Sequence, residues 1–180
     1  SDRRGGLRRD ACCRSCSAWS GPPGPGPAAD AQLAVLQERA AQHPDDPSGW
    51  MRAARLQVML GHGPEAVADY RRVAALRPND ADVLADLADL LAATAHGSLA
   101  GEPIQLVDRA LAIDPNQVKA LALKGSWAMS QRDFRTALDA WNHAIQVAPP
   151  GDPIAQYLRG QLDEMRAMAM QAAAAASAAR

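Results

Sequence analysis

Four prolines, Pro44, Pro78, Pro115 and Pro149, divide the chain at intervals of 34, 37 and 34 residues. Proline lacks the backbone N–H and clashes with the preceding turn, so each marks a place where a helix has stopped. A breaker that recurs with a period in the thirties is the pattern of stacked helical hairpins, each too small to bury its apolar face alone. The interval 47–80 shows why. Trp50 and Ala54 lie four apart, as do Ala66 and Tyr70, so each pair shares a helix face. Gly61 between them can take the left-handed conformation that ends a helix, and Pro64 suits the first turn of the next.

Trp50, Ala54, Gly61, Ala66, Tyr70 and Pro78 fall at the spacings of a tetratricopeptide (TPR) unit of 34 residues. Three units follow in register: 47–80, 81–117 and 118–151. The third repeats the pattern with Leu121, Gly125, Ala128, Ala137, Trp141 and Ala144. The middle one, with Leu84, Leu87, Ala88, Leu91, Val107 and Ala110, needs three extra residues, placed around Ala95–Gly101. The expected fold is an all-α TPR superhelix of helical hairpins with a capping helix at each end. Asp46, Asp80 and Asn116 are the expected helix caps of the three units. The N-terminal capping segment is 30–46, with Asp30 as cap of a helix from Ala31 to about Gln42. The C-terminal capping helix is 152–170, with Ile154, Leu158, Leu162, Met165 and Met168 as its apolar stripe, before an Ala-rich tail at 171–180.

Residues 1–29 differ in kind. Ser1–Ser20 holds five Arg against two Asp, with Cys12, Cys13 and Cys16, and a Gly-Pro run follows. This arm is expected to be a disordered segment and linker. The chain begins without Met or a signal-peptide pattern, so the expectation is a processed or fragmentary chain.

Charge and chemistry narrow the function. A formal net charge of −1 gives no field to gather nucleic acid, and no run of 18 apolar residues forms a membrane span. Hydrophobic content is 48% but aromatics are 4%, which suits closely spaced helices. Cys13 and Cys16 have C-x-x-C spacing, yet they lack the βαβ context of a redox pair, a following His, and the second pair of a structural zinc site. His43, His62, His96 and His143 are scattered, so no metal centre assembles. No nucleophile–base pair or phosphate loop is present either. The chain reads as non-enzymatic, with no cofactor, metal or small-molecule substrate.

What remains is a binding surface. The first helix of each hairpin lines the concave side. The unit register points Met51, Arg55, Val58 and Met59 inward, then Asp82, Ala85, Asp89 and Ala92, then Lys119, Ala122, Ser126 and Met129. Flexible Met side chains suit a helix or peptide of imperfect fit, Ala and Ser leave room, and Arg55, Asp89 and Lys119 can fix its direction. The Lys, Arg and Asn set of a peptide-carboxylate clamp is not matched.

The stretch from Ser48 to Ala92, the long middle hairpin followed by RALAIDPNQVKALALKG at 109–125, and Trp141 ahead of Pro149-Pro150 resemble one family. It is the periplasmic TPR domain of the c-type cytochrome biogenesis factor CcmI, also known as the C-terminal part of CcmH, with NrfG as a relative. The resemblance covers about residues 30–170. It implies a periplasmic protein that holds apocytochrome c, largely through its C-terminal helix, and passes it to membrane haem-ligation machinery. Two family features have no match: the N-terminal transmembrane tether, and the cysteine signature of the fused thiol-reductase domain. A general TPR adaptor for another envelope assembly is the alternative. A thiol oxidoreductase using Cys13 and Cys16 ranks last.

Overall fold

The computed structural model describes residues 26–163. Seven helices are bounded: α1 (Pro27–Gln42), α2 (Pro47–Leu60), α3 (Gly63–Leu76), α4 (Ala81–Thr94), α5 (Glu102–Ile113), α6 (Val118–Ser130) and α7 (Phe134–Val147). An eighth runs from 153 through 163, and no strand occurs among the described residues. The fold is an all-α TPR stack. The Cys-bearing arm, Met165, Met168 and the Ala-rich tail lie outside the described residues.

Each spacing proline stands two residues beyond the last helical residue: Gln42, Leu76, Ile113 and Val147 are the four ends. Aspartate side chains cap the starts of α2, α4 and α7. Asp46 Oδ1 accepts from Ser48 N at 2.9 Å, Asp80 Oδ1 from Val83 N at 3.2 Å, and Asp133 Oδ1 from Thr136 N at 3.1 Å. Gly61 has φ +79 at the end of α2, the left-handed position anticipated for it. The three additional residues of the middle unit fall in the connection 95–101, where Leu99 is buried and anchors the longer loop.

Two expected boundaries are corrected. Asp30 is not a cap: α1 begins at Pro27, with Gly26 as an N-cap that makes no side-chain bond, and Asp30 sits in the first turn. Proline's fixed φ suits a first helical position, so Pro27 belongs to the helix rather than to the linker. Asn116 is not the cap of α6 either. Gln117 takes that place, its Oε1 accepting from Ala120 N, while Asn116 Oδ1 lies 3.0 Å from His143 Nε2.

Successive helices pack on one another from α1 to α7, and α4 also touches α6 across a hairpin. That last contact brings the first helices of neighbouring units side by side. One core joins Ala54, Tyr70, Leu84, Leu87, Ala88, Val107 and Ala120. A second, Leu121, Trp141, Ala144, Leu158 and Leu162, seats the final helix on α6 and α7. Leu84, Leu158, Val73 and Val107 are almost fully buried, and each such side chain contributes about 1.5–3 kcal/mol. In the third unit Gly125 is the small partner of Trp141: a Cβ there would lie 2.3 Å from the indole Cδ1 and Nε1. The indole N–H donates to the Ala122 carbonyl at 3.1 Å.

Candidate functional site

The N-terminal halves of α2, α4 and α6 form a continuous groove. One depression is lined by Met51, Arg52 and Arg55 of α2 with Asp82 and Asp86 of α4. The next lies between α4, α6 and the start of the last helix, and holds Lys119, Asp114, Asp152 and Ile154. Arg55, Asp82 and Asp86 line both. The two measure about 430 and 440 Å³, room for a few side chains each of a peptide laid across them.

Asp86 is the centre of this surface. Its Oδ1 lies 2.5 Å from Lys119 Nζ, and its Oδ2 accepts from the Tyr70 hydroxyl at 3.5 Å. Lys119 also approaches Asp89 Oδ2 at 3.8 Å. Burial works to lower the Lys119 ammonium pKa, but the Asp86 bond and the Asp89 charge outweigh it, and the pKa is raised. Burial, then the Asp86 charge, push the Tyr70 phenol up as well. Beside them Gln117 Nε2 donates to Asp82 Oδ1 at 3.1 Å, tying α6 to α4.

The expected groove residues are divided among the depressions, the core packing and the far end of α2. Arg55, Asp82 and Lys119 line the depressions, and Asp89 stands at their edge through Lys119. Met51 also lines one depression, but it packs against two core clusters. Met129 and Ala122 pack on the second core, and Ser126 bonds back to the Ala122 carbonyl at 3.0 Å. Val58 and Met59 are exposed at the far end of α2, 45% and 81%. Ala85 and Ala92 are corrected: both are buried in the helix packing, Ala85 fully, and neither offers a contact surface.

Asp86, Tyr70, Arg52 and Gln117 were absent from the expected set. Asp86 carried a signal, since it lies four residues from Asp82 and three from Asp89. In the second unit the fifth position, Ala85, is buried in the core, and the sixth position faces the groove in the first two units through Arg52 and Asp86.

No group of three or more metal-ligating side chains lies among the described residues. A separate apolar depression on α1–α3 is lined by Pro44, Trp50, Arg72 and Leu76, with the Arg72 guanidinium 4.3 Å from the Trp50 ring centroid. It contains none of the expected groove residues.

With the stack and its groove in place, sequence comparison gives the lineage. The family model described as the cytochrome c-type biogenesis protein H TPR domain matches residues 29–155. The chain belongs to that family. It is 26% identical over 121 residues to the formate-dependent nitrite reductase complex subunit NrfG of Escherichia coli O157:H7. That match covers 67% of this chain and 61% of NrfG. It is 28% identical over 136 residues to the cytochrome c-type biogenesis protein CycH of Pseudomonas aeruginosa, covering 75% of this chain and 33% of CycH. The chain thus spans less than two thirds of the length of either relative. Among solved structures, a crystal structure of MamA matches with TM-score 0.58 at 14% identity, over 79% of this chain and 91% of that one. A MamA RS-1 double mutant matches with TM-score 0.59 at 18% identity, over 79% and 80%. At these identities MamA is similar in fold.

Proposed function

We propose that this chain is a non-enzymatic binding module for c-type cytochrome biogenesis, holding apocytochrome c by its C-terminal helix in the α2–α4–α6 groove. The observation that carries this reading is the family match over residues 29–155 on a stack whose groove is open and polar. A groove of this kind accepts an amphipathic segment through a few side chains, which suits reversible handover to haem-ligation proteins rather than a large obligate interface. The reading includes a periplasmic setting. No described helix is long and apolar enough to cross a membrane.

The general envelope adaptor is the second reading, which needs only the TPR stack and its groove. The two differ in ligand. Calorimetric titration with a peptide of a c-type cytochrome C-terminal helix should give micromolar binding that a scrambled peptide does not. Asp89→Lys with Arg55→Glu, both on exposed side chains, should weaken it while circular dichroism stays helical. Equal binding of the scrambled peptide would move the assignment to the adaptor.

A further inference from the structure

The charges along the groove are unevenly spread, and their order gives an occupant a direction. On the α2 side the lining is Met51 with Arg52 and Arg55. On the α6 side it carries Asp114 and Asp152, with Asp82 and Asp86 between the two. The α6 cation, Lys119, does not offset that acidic side toward a ligand. Asp86 at 2.5 Å and Asp89 at 3.8 Å already satisfy it. Arg55, by contrast, has no carboxylate at ion-pair distance among the described residues. Its near neighbour is the Tyr70 hydroxyl. The depression at the first repeat sets Arg52, Arg55 and Arg77 against Asp80, Asp82 and Asp86. The one at the last helix sets four carboxylates, Asp82, Asp86, Asp114 and Asp152, against Arg55 and Lys119. The surface therefore turns from balanced, with its arginines on the α2 side, to anionic toward the last helix.

We infer that the segment bound here is itself charge-polarised and enters in one direction, its acidic end against Arg52 and Arg55 and its basic end against Asp114 and Asp152. The inference rests on the groove being the binding surface proposed above. It commits to a peptide segment of another protein with that order of charge. Turned end for end, the segment would set like charges against each other at both ends. Exposed charge contacts are worth a factor of roughly two to five each, so a few at each end give a preference of about ten-fold or more.

The test uses the full chain and a designed 18-residue Ala/Leu peptide with three Glu at one end and three Lys at the other. A nitroxide is attached first at the Glu end, then at the Lys end, and amide broadening is read by NMR. With the label at the Glu end the amides of 48–55 should broaden, and with it at the Lys end those of 114–119 and 152–156. Arg52→Glu with Arg55→Glu should weaken binding roughly ten-fold and abolish the orientation, with helical content unchanged. Equal broadening of both regions by either label, or equal affinity for a peptide with Gln in place of all six charges, would overturn the direction. If the cytochrome peptide still binds in that case, only the direction falls. If neither peptide binds, the groove reading falls with it.

Discussion

The ammonium of Lys119 on α6 lies 2.5 Å from the Asp86 carboxylate on α4, and the same carboxylate accepts from Tyr70 on α3. One side chain thus joins three helices from three repeats, beneath the groove that the ligand is proposed to enter. The network has a pH signature. The raised Lys119 pKa means its stabilisation is complete below the unfolded lysine value, about 10.4, and is lost as pH rises through the folded value. The raised Tyr70 pKa acts in the same direction, because the unfolded phenol ionises first. Stability in urea should therefore fall as pH rises above about 10. Lys119→Met and Tyr70→Phe should each flatten that fall. A slope unchanged in both variants would refute the coupling.

Gly125→Ala tests the packing of the third repeat. Alanine is favoured over glycine by about 1 kcal/mol in an open helix. Here its Cβ would meet the Trp141 indole at 2.3 Å, and the ring is held by its bond to Ala122. We expect a net loss of about 1–3 kcal/mol in urea unfolding. A gain in stability would show that the indole moves freely.

The same pairing shows how much of the fold the sequence made legible. Gly125 with Trp141, Ala54 with Tyr70 and Ala88 with Val107 stand at matching places in their units, so residue size alone announced the close helix approach. The four spacing prolines announced the ends of α1, α3, α5 and α7. Less legible were starts and facings. The Gly-Pro run before Pro27 hides a first-turn proline, so the sequence alone places it in the linker. Helical register places a residue such as Ala85 only to within a turn's fraction, and that fraction separates core from surface. Asp86 was visible in its spacing, but its partners Tyr70 and Lys119 lie 16 and 33 residues away. Only the folded stack brings such residues together.

Asp69 should respond to neutralisation. It is buried to 6% exposure between α2 and α3, and burial pushes its carboxyl pKa up against the opposing Arg72 charge and Gln57 bond. Gln57 Oε1 is buried beside it without a hydrogen-bond donor. Asp69→Asn removes the buried charge and supplies an amide N–H for that oxygen. At pH 7 we expect no loss or a gain of about 0.5–1.5 kcal/mol. The raised pKa means stability falls as pH climbs through and above the ordinary Asp value of 3.8, and the variant should lack that dependence. Destabilisation above about 1 kcal/mol would contradict this.

Met51 and Met59 separate packing from surface on one helix. Met51→Glu forces a charge against two core clusters and should cost at least about 2 kcal/mol. Met59, 81% exposed, should tolerate Glu within about 0.5 kcal/mol. Equal melting temperatures for the two variants would mean that Met51 is free to leave the core.

The central claim is that the groove holds a cytochrome before haem attachment. The most direct measurement is calorimetric titration of the chain with a c-type cytochrome of the same cell, once as the apoprotein and once with haem attached. The account predicts micromolar binding of the apoprotein, weakened by Arg55→Glu with Asp89→Lys, and little or none of the holoprotein. Equal affinity for both forms, or binding indifferent to the groove variant, would contradict it.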